Sequence, residues 1–392
     1  MKCDWIKIRN DFPITKKYSY LDNAAISPIP IPVYIEACKF YKNLMDHGGK
    51  IWTKYIKVKE ETRKRYAEFI GANDSEIAFT HSTSEGMNII SHMLSNKGIV
   101  ILNGLEFPAS NLPWINNNPK NVRFVKCRDN NRIELEDIVD LIYDLESKVD
   151  DNNIVKTIVT SHVQFSTGYR IDLDKLSNFT KQKKIFLVIN STQSLGSLYF
   201  NVKEQGVDFA ATNGHKWMLS SFGIGAIYIN KKYLDEYQLK PSFFSHFGQK
   251  QIDNYENNKQ IEMSDNATRF EIGTPHFQNI ISLNAAVKYL SNIGIKNIEH
   301  RILQLTDYII EKLESLNFEI ISPIKNKNQR SGIIVFRSKK LHPLTIVKKL
   351  ENENVIVSQR GKGIRISPHF YNSEEDLDKL ILFALISKCF SS

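Results

Sequence analysis

The chain has 392 residues, of which 42% are hydrophobic and 24% are charged, and its formal net charge is +9. These proportions are ordinary for a folded globular protein, so disordered, collagen-like and disulfide-scaffold classes are excluded. The length exceeds what one hydrophobic core usually covers, and no apolar run approaches the ~20 residues that span a bilayer. We therefore predict two domains and no membrane segment.

The cysteines and the first residues bear on the compartment. The four cysteines, Cys3, Cys38, Cys127 and Cys389, are widely spaced and form no Cys-x-x-Cys pair. This scatter argues against a disulfide framework or a structural metal site and favours a reducing compartment. The first residues contain no apolar segment of the kind that directs secretion. We predict a cytoplasmic protein.

The excess of positive charge raises the question of nucleic-acid binding. The basic residues are spread along the chain in short groups, such as Lys183-Lys184 and Lys339-Lys340. No basic and aromatic module typical of nucleic-acid recognition is present. The charge is therefore interpreted as a solvated surface with some attraction for a small anionic ligand, and we expect no nucleic-acid partner.

The first three-quarters of the chain alternate short apolar runs with helical patterns. The predicted strands are 76–80, 99–103, 122–127, 155–163, 185–190, 207–212 and 224–229. The predicted helices between them are 84–94, 134–145 and 173–181. This alternation indicates an α/β fold in which a mainly parallel sheet of seven strands is covered on both faces.

The last third has a different pattern. Residues 279–316 are predicted to form a nearly continuous helix with one apolar stripe. Short strands near 333–336, 355–358 and 364–367 then alternate with helices at 343–353 and 374–389. These elements predict a smaller α+β domain. The polar segment 248–266 has no apolar periodicity and is predicted to be a long loop.

The domain boundary is placed in that loop. We predict a larger domain over residues 16–250 and a smaller one over residues 267–392. The N-terminal segment 1–15 is expected to pack on the smaller domain.

The segment around Lys216 carries the strongest chemical signal. Lys216 follows a predicted strand and stands beside His215, before a glycine-containing turn. Burial lowers the pKa of a lysine and frees its amine to attack a carbonyl group. Alone, this pattern also suits a surface lysine. However, a polar run at 190–196 follows another apolar strand, and α/β sheets bind ligands at such strand ends.

Seven segments, in order along the chain, resemble one known family. They are YLDNAA at 20–25, FTHSTSEGMN at 79–88, EFPASNLPW at 106–114, VQFSTGYR at 163–170, GHKW at 214–217, RFEIGTP at 269–275 and RISPHFYN at 365–372. The chain thus resembles the class V aminotransferase group of fold-type-I pyridoxal-phosphate enzymes. This group includes cysteine desulfurases, selenocysteine lyases and isopenicillin N epimerase-like proteins.

The resemblance implies a fold-type-I transferase with pyridoxal phosphate as cofactor and Lys216 as the residue that binds it covalently and moves protons at the substrate Cα. Thr83 and Ser84 would hold the phosphate at a helix N-terminus. Ser84 could also be a helix N-cap, a role that is compatible with phosphate binding. His215 and Asn213 would also lie at the phosphate.

The resemblance gives further roles to four residues. Thr274 would reach the phosphate in the neighbouring subunit, so a homodimer is expected. Gln193 and Gln164 would donate hydrogen bonds to the phenolic oxygen of the cofactor. Phe107 occupies the position where many relatives have a histidine that stacks on the cofactor ring. An aromatic face can also cover that ring, although Phe107 could equally be a core residue.

Arg365 is predicted to bind the substrate. It lies between two apolar residues of a predicted strand, and in the family this arginine holds the α-carboxylate of an amino acid. A planar guanidinium forms two parallel hydrogen bonds with a carboxylate. A structural salt bridge is the competing interpretation.

Two features depart from the family pattern. Asn190 stands where an aspartate normally keeps the pyridine nitrogen protonated, so the ring would withdraw electrons less strongly. In addition, residues 355–372 contain no cysteine, whereas cysteine desulfurases use a loop cysteine near the substrate arginine. Cys127 and Cys389 are interpreted as structural residues. Persulfide-forming desulfuration is therefore disfavoured.

The sequence predicts a pyridoxal-phosphate enzyme that acts on an amino acid by aminotransferase or lyase chemistry. Transamination, epimerisation, β-elimination and decarboxylation all remain open. The second candidate is a cysteine desulfurase or selenocysteine lyase. A third, prompted by Asn190, is a protein that keeps the fold for binding and has lost catalysis, although the intact Lys216 and Arg365 argue against it.

Overall fold

The structure is a computed structural model that describes residues 3–127, 132–148, 154–236, 239–252, 259–338 and 341–386. Helices α1, α2 and α3 (Trp5–Arg9, Ile31–His47 and Trp52–Ile70) come before the main sheet, with the short strand β1 (Ser19–Tyr20) between α1 and α2. The sequence analysis did not predict α2 or α3. Helix α3 ends at Gly71, whose φ of 72° suits glycine because it has no Cβ.

The main sheet contains seven strands in the order β2-β8-β7-β6-β5-β3-β4. These strands are β2 (Ile77–Thr80), β3 (Ile99–Asn103), β4 (Val122–Val125), β5 (Val155–Ser161), β6 (Phe186–Asn190), β7 (Phe209–Asn213) and β8 (Gly225–Ile229). Only β8 runs antiparallel to both of its neighbours. The predicted seven-stranded, mainly parallel sheet is confirmed, with strand ends that differ by a few residues.

Four helices connect these strands, and a fifth follows the last strand, β8. They are α4 (Thr83–Leu94), α5 (Pro108–Asn117), α6 (Leu135–Ser147), α7 (Leu173–Lys183) and α8 (Lys231–Glu236). Every residue of β6 and β7 is buried, as expected for central strands with helices on both faces. Parallel strands in such a sheet bring their carboxyl ends to one edge, where the candidate site lies.

The C-terminal part contains a separate antiparallel sheet in the order β12-β13-β10-β9. Its strands are β9 (Glu319–Ile320), β10 (Ile334–Arg337), β12 (Ser358–Arg360) and β13 (Gly363–Ile366), and β11 (Val355–Ile356) pairs in parallel with β1. Helices α11 (Pro343–Asn352) and α12 (Glu374–Ile386) accompany these strands. The predicted α+β elements are confirmed up to residue 386, and the predicted end of the last helix, 387–389, lies outside the described residues.

The predicted helix over 279–316 is divided in two. Helix α9 (Phe277–Ile293) ends at Gly294, and α10 (Ile295–Ser315) begins directly after it. Gly294 has a φ of 87°, which a right-handed helix does not allow, so the chain changes direction there. The apolar stripe predicted for the second part is buried in α10 at Ile302, Leu305, Ile309 and Leu313.

The N-terminal segment contacts the C-terminal part of the chain. Phe12 stacks on Tyr371 with 4.0 Å between ring centroids, and the Arg9 guanidinium lies 2.6 Å from the Asp376 carboxylate. The predicted domain limits, 16–250 and 267–392, stay a prediction. In the predicted loop 248–266, Gln249 pairs with Met263, and residues 253–258 lie outside the described part.

In the part of the chain that the structure describes, no helix has the length and apolar composition needed to cross a membrane.

Candidate active site

Three neighbouring parallel strands end at one cavity of about 370 Å³. Ser161, Asn190 and Asn213 are the last residues of β5, β6 and β7, and all three line it. Lys216, three residues after the end of β7, lines the same cavity. Its position at the carboxyl edge of the sheet agrees with the ligand site expected for α/β folds.

Lys216 lies in a positively charged environment. Its ammonium group is 5.7 Å from the centroid of the Phe107 ring. Burial, together with repulsion from Arg365 and Arg360, lowers the pKa of Lys216 to about 8. The uncharged amine, which is the form that attacks a carbonyl group, is therefore far more populated near neutral pH than in an ordinary lysine.

The N-terminus of α4 forms another wall of the cavity. The Ser82 side chain accepts a hydrogen bond from the Glu85 N–H at 3.1 Å, so Ser82 is the N-cap and the additional role considered for Ser84 is wrong. The Thr83 hydroxyl lies 2.7 Å from that of Thr192. The first N–H groups of a helix lack intrahelical partners and attract anions. Thr83 and Ser84 both line the cavity, where these groups can bind a phosphate.

His215 and Asn213 flank Lys216 in sequence and both line the cavity. The His215 ring stacks on Phe222, with 4.7 Å between centroids. Burial and the adjacent charge of Lys216 lower the pKa of His215 to about 4, so its imidazole is neutral at physiological pH. The buried Oδ1 of Asn213 has no hydrogen-bond partner among the described residues. Such an atom is costly unless a ligand or water satisfies it.

Phe107 presents an apolar ring at the cavity. The residue is 49% exposed, and its ring contacts Phe165 edge-on with 5.5 Å between centroids. This exposure is inconsistent with the alternative of a core phenylalanine. A flat, partly exposed aromatic ring suits the covering of a planar ligand.

Gln193 lines the cavity, but much of its hydrogen-bonding capacity is used by the protein. Its Nε2 donates to the Ala24 carbonyl at 2.9 Å, and its Oε1 accepts from the Trp217 indole at 2.8 Å. The acceptor contact fixes the amide orientation, because an indole N–H can only donate. One N–H of Nε2 remains for a ligand oxygen.

Asn190 connects the cavity to a buried carboxyl group. Its Oδ1 accepts from the Thr192 N–H at 3.0 Å, and its Nδ2 donates to the Ser110 hydroxyl at 2.8 Å. The Ser110 hydroxyl in turn lies 3.3 Å from the Glu106 carboxyl group, which also accepts from the Ser161 N–H at 2.6 Å. Burial raises the pKa of Glu106, while the hydrogen bonds from Ser161 oppose that rise.

Arg365 lies in β13 and is only 1% exposed. It forms an ion pair with Asp22 at 3.0 Å, and its Nη1 donates to the Phe165 carbonyl at 3.4 Å. Burial lowers the pKa of Arg365 to about 10, an effect that Asp22 opposes and Arg360 reinforces. A salt bridge is therefore present, but it uses one guanidinium nitrogen, and the buried Nε has no partner among the described residues.

The structure does not bring two predicted residues into this cavity. The Gln164 side chain accepts from the Thr167 hydroxyl at 3.1 Å and donates to the Ile133 carbonyl at 3.4 Å, and it is absent from the cavity wall. Thr274 is exposed and lines a different pocket. Exposure away from its own cavity is compatible with a contact to a second subunit.

Several residues that line the cavity, or that bond to residues lining it, were not assigned a role from the sequence. Asp22 lies in the YLDNAA motif, yet only the fold reveals its pairing with Arg365. Ser161 and Arg360 lie at the ends of strands, which is the one sequence signal that could have found them. Glu106 is visible in its motif, but its contacts with Thr160 and Ser161 join it to residues 54 and 55 positions away.

A model of the family described as "Aminotransferase class-V" matches residues 19–380. The chain belongs to this family. A probable cysteine desulfurase of Pyrococcus abyssi is 28% identical, over 95% of each chain. A probable cysteine desulfurase of Borreliella burgdorferi is 30% identical, over 96% of this chain and 94% of the relative.

A solved structure agrees with the family assignment. The apo cysteine desulfurase of Thermococcus onnurineus NA1 has 25% sequence identity and a TM-score of 0.85, and the match covers 98% of both chains. The predicted fold-type-I architecture is thus confirmed. As a member of this family, the protein is an enzyme and uses pyridoxal phosphate.

The cavity fits this cofactor. It combines an amine with a lowered pKa, the N-terminus of a helix for a phosphate, an exposed aromatic ring and an unpartnered amide oxygen. The amine of Lys216 would bind the cofactor, and the first turn of α4 would bind its phosphate. The third interpretation considered from the sequence, a binding protein without catalysis, is not supported.

Proposed function

We propose that the protein converts an amino acid by aminotransferase or lyase chemistry, with Lys216 as the catalytic residue. The observation that carries this proposal is that Lys216 and Arg365 line one cavity, where Lys216 has no ion pair with a described residue and Arg365 is paired with Asp22 alone among the described carboxylates. When bound, pyridoxal phosphate withdraws electrons from the bonds at the substrate Cα.

The substrate roles follow from the two cationic groups. Arg365 binds the α-carboxylate with the guanidinium nitrogens that Asp22 leaves available. That contact orients the amino acid so that its Cα lies within reach of the Lys216 amine. Lys216, with its pKa near 8, can hold a proton or release it close to neutral pH.

The cofactor contacts are part of the same proposal. Thr83, Ser84, Asn213 and the neutral His215 bind the phosphate. Phe107 covers the ring, Gln193 donates its remaining N–H to the phenolic oxygen, and Asn190 lies at the ring nitrogen. Gln164 has no part in this proposal, because its side chain is bonded elsewhere.

The second candidate, cysteine desulfurase, is favoured by the names of the relatives. This chemistry needs a cysteine that receives sulfur near the substrate. Residues 355–372 contain none, and neither Cys3, Cys38 nor Cys127 lines the cavity. Cys389, considered above, lies outside the described residues. We therefore rank chemistry without a protein persulfide first.

A cytoplasmic homodimer completes the proposal. Helix α2 exposes six large apolar side chains: Ile31, Tyr34, Ile35, Tyr41, Leu44 and Met45. Exposed apolar residues on one helix favour a protein–protein contact. The exposed Thr274 would reach the partner's phosphate site. Sedimentation analysis should give twice the mass of the chain, and a monomer at all concentrations would contradict this part.

The proposal is tested by deuterium exchange at the Cα of bound amino acids. The holoenzyme is incubated in heavy water with a panel of amino acids, and exchange is followed by mass spectrometry. We expect exchange for at least one amino acid, its loss in Lys216→Ala, and a strong reduction in Arg365→Ala. A surface control, Lys175→Ala, should behave as wild type. Equal exchange in Lys216→Ala and wild type would contradict the proposal.

A further inference from the structure

Asn190 lies where its hydrogen bonding can depend on whether the ring nitrogen of the cofactor is protonated. It is the last residue of β6, pairs with Ser161 on one side and Ala211 on the other, and is 5% exposed. Its side chain lines the cavity, at the position where the family resemblance implies an aspartate. The side chain can donate a hydrogen bond to a ligand through its amide nitrogen or accept one through its amide oxygen. Which of the two is available depends on which atom is bonded to each neighbouring residue.

The orientation of the Asn190 amide is fixed by its neighbours. The Thr192 N–H lies 3.0 Å from one terminal atom, and a backbone N–H can only donate. That atom is therefore the oxygen Oδ1. The other terminal atom is the nitrogen Nδ2, which lies 2.8 Å from the Ser110 hydroxyl. An amide flipped by 180° would place two donors against each other at Thr192.

The Ser110 hydroxyl can accept this hydrogen bond because its own proton has another acceptor. The Glu106 carboxyl group lies 3.3 Å from the Ser110 oxygen. Ser110 therefore donates to Glu106 and accepts from Asn190. Ser110 is fully buried and Glu106 nearly so, and their contacts hold the Asn190 amide in one orientation.

One hydrogen of Nδ2 remains after these contacts. The amide nitrogen has two hydrogens, and Ser110 takes one of them. No hydrogen bond between Asn190 and any other described residue uses the second. The nitrogen thus offers the cavity a donor, whereas an aspartate at this position would offer an acceptor.

We propose that Asn190 donates a hydrogen bond to an unprotonated ring nitrogen, so that the holoenzyme holds the pyridine ring of its cofactor in the neutral form. The inference rests on the proposed function and deepens it. A protonated ring nitrogen would direct its N–H at the Asn190 N–H, and two opposed donors in a buried site leave both unsatisfied. A neutral ring nitrogen accepts from Asn190 and satisfies it.

The neutral ring narrows the reaction class. It stabilises negative charge at the substrate Cα less than a pyridinium ring does. Reactions in which that charge is short-lived are therefore favoured over transamination. One such reaction is β-elimination: Lys216 takes the Cα proton, the electron pair forms a Cα–Cβ double bond, and the β substituent leaves with its bonding electrons. We infer a substrate with a good leaving group at Cβ.

The test measures the ring nitrogen directly. The apoprotein is loaded with pyridoxal phosphate that carries ¹⁵N in the ring, and the ¹⁵N chemical shift is recorded at neutral pH. Pyridine and pyridinium nitrogens have well-separated shifts. We expect the pyridine shift in wild type and the pyridinium shift in Asn190→Asp, which restores a carboxylate. Asn279→Asp, which adds the same charge outside the cavity, should match wild type.

Each other outcome contradicts the inference. A pyridinium shift in wild type overturns it, and so does a pyridine shift in both wild type and Asn190→Asp. Borohydride reduction and peptide mapping of the same samples separate the two proposals. A pyridinium shift with the cofactor on Lys216 overturns only this inference, whereas a cofactor that does not attach to Lys216 overturns the proposed function as well.

Discussion

Two regions of the molecule that contain buried positive charge are neutralised differently. Near the start of the main sheet, the buried Glu271 carboxylate binds Arg63 at 2.5 Å and Lys59 at 2.7 Å. It also accepts from the Phe79 N–H at 2.9 Å. Burial alone would raise the pKa of Glu271, but the charges of Arg63 and Lys59 outweigh it and lower the pKa.

In the candidate active site, fewer carboxylates compensate the buried positive charges. Lys216, Arg360 and Arg365 line one cavity, and Asp22 is the carboxylate paired with Arg365. Burial and mutual repulsion lower the pKa of Lys216 to about 8 and that of Arg365 to about 10. The comparison shows that the first group is a closed structural cluster. In the proposed function, a phosphate and a substrate carboxylate supply the anionic groups that neutralise the second region.

The largest effect is expected from Lys216→Ala. Without its amine, the protein has no group that binds the cofactor covalently or moves the Cα proton, so turnover should fall below detection. The melting temperature of the apoprotein should not fall, because the Lys216 amine forms no hydrogen bond or ion pair with a described residue. Turnover by this variant within tenfold of wild type would contradict the assignment.

Arg63→Ala should reduce the stability of the fold and leave cofactor attachment unchanged, which is the reverse of the effect of Lys216→Ala. It leaves Glu271 buried with one cation fewer, and breaking a buried ion pair costs about 3–5 kcal/mol. Denaturant unfolding of the apoprotein measures this loss. The pH dependence of cofactor attachment should remain that of wild type. A stability change below about 1 kcal/mol would show that this cluster is not structural in the way described.

Arg365→Lys should affect binding more than folding. The variant keeps the charge but loses the planar fork that binds a carboxylate with two hydrogen bonds. We expect a higher KM for the amino acid, corresponding to about 1.5–3 kcal/mol, the energy of a hydrogen bond to a charged group. Steady-state kinetics measure it, and an unchanged KM would favour the purely structural salt bridge with Asp22.

The smallest effect is expected on the pH profile of cofactor attachment to the apoprotein. The uncharged Lys216 amine is the reactive form, so the rate should rise as pH increases through about 8. Arg360→Met removes one of the charges that disfavour the protonated amine, so the midpoint should move to higher pH. If the pH profile of wild type had its midpoint at the ordinary pKa of lysine, the proposed difference in charge compensation between the two regions would be contradicted.

The sequence predicted the parts of the molecule that depend on local patterns. The strand and helix periods predicted the main sheet. The motifs identified Lys216, Arg365, Thr83 and Ser84 as site residues, and the structure places all four in one cavity wall. Contacts between segments that are distant in the sequence could not be predicted from these local patterns. The pairing of Arg365 with Asp22 joins residues 343 positions apart, and the contact that orients Asn190 joins it to Ser110, 80 positions away.

Other errors have local causes. The break at Gly294 was missed because the apolar period continues across it, although a φ of 87° ends the helix. Gln164 was placed at the cofactor because its motif matches, yet its side chain turns to Thr167 and Ile133. A motif fixes the position of the backbone, but side-chain direction follows from the partners that the fold supplies.

The central claim is that the uncompensated cationic cavity binds pyridoxal phosphate through Lys216. Borohydride reduction of the holoenzyme, followed by peptide mapping, tests it most directly. We expect a pyridoxyl group on Lys216. No other lysine should carry it, and this holds for the buried Lys59 as well. A label on another lysine, or no label on protein loaded with the cofactor, would contradict it.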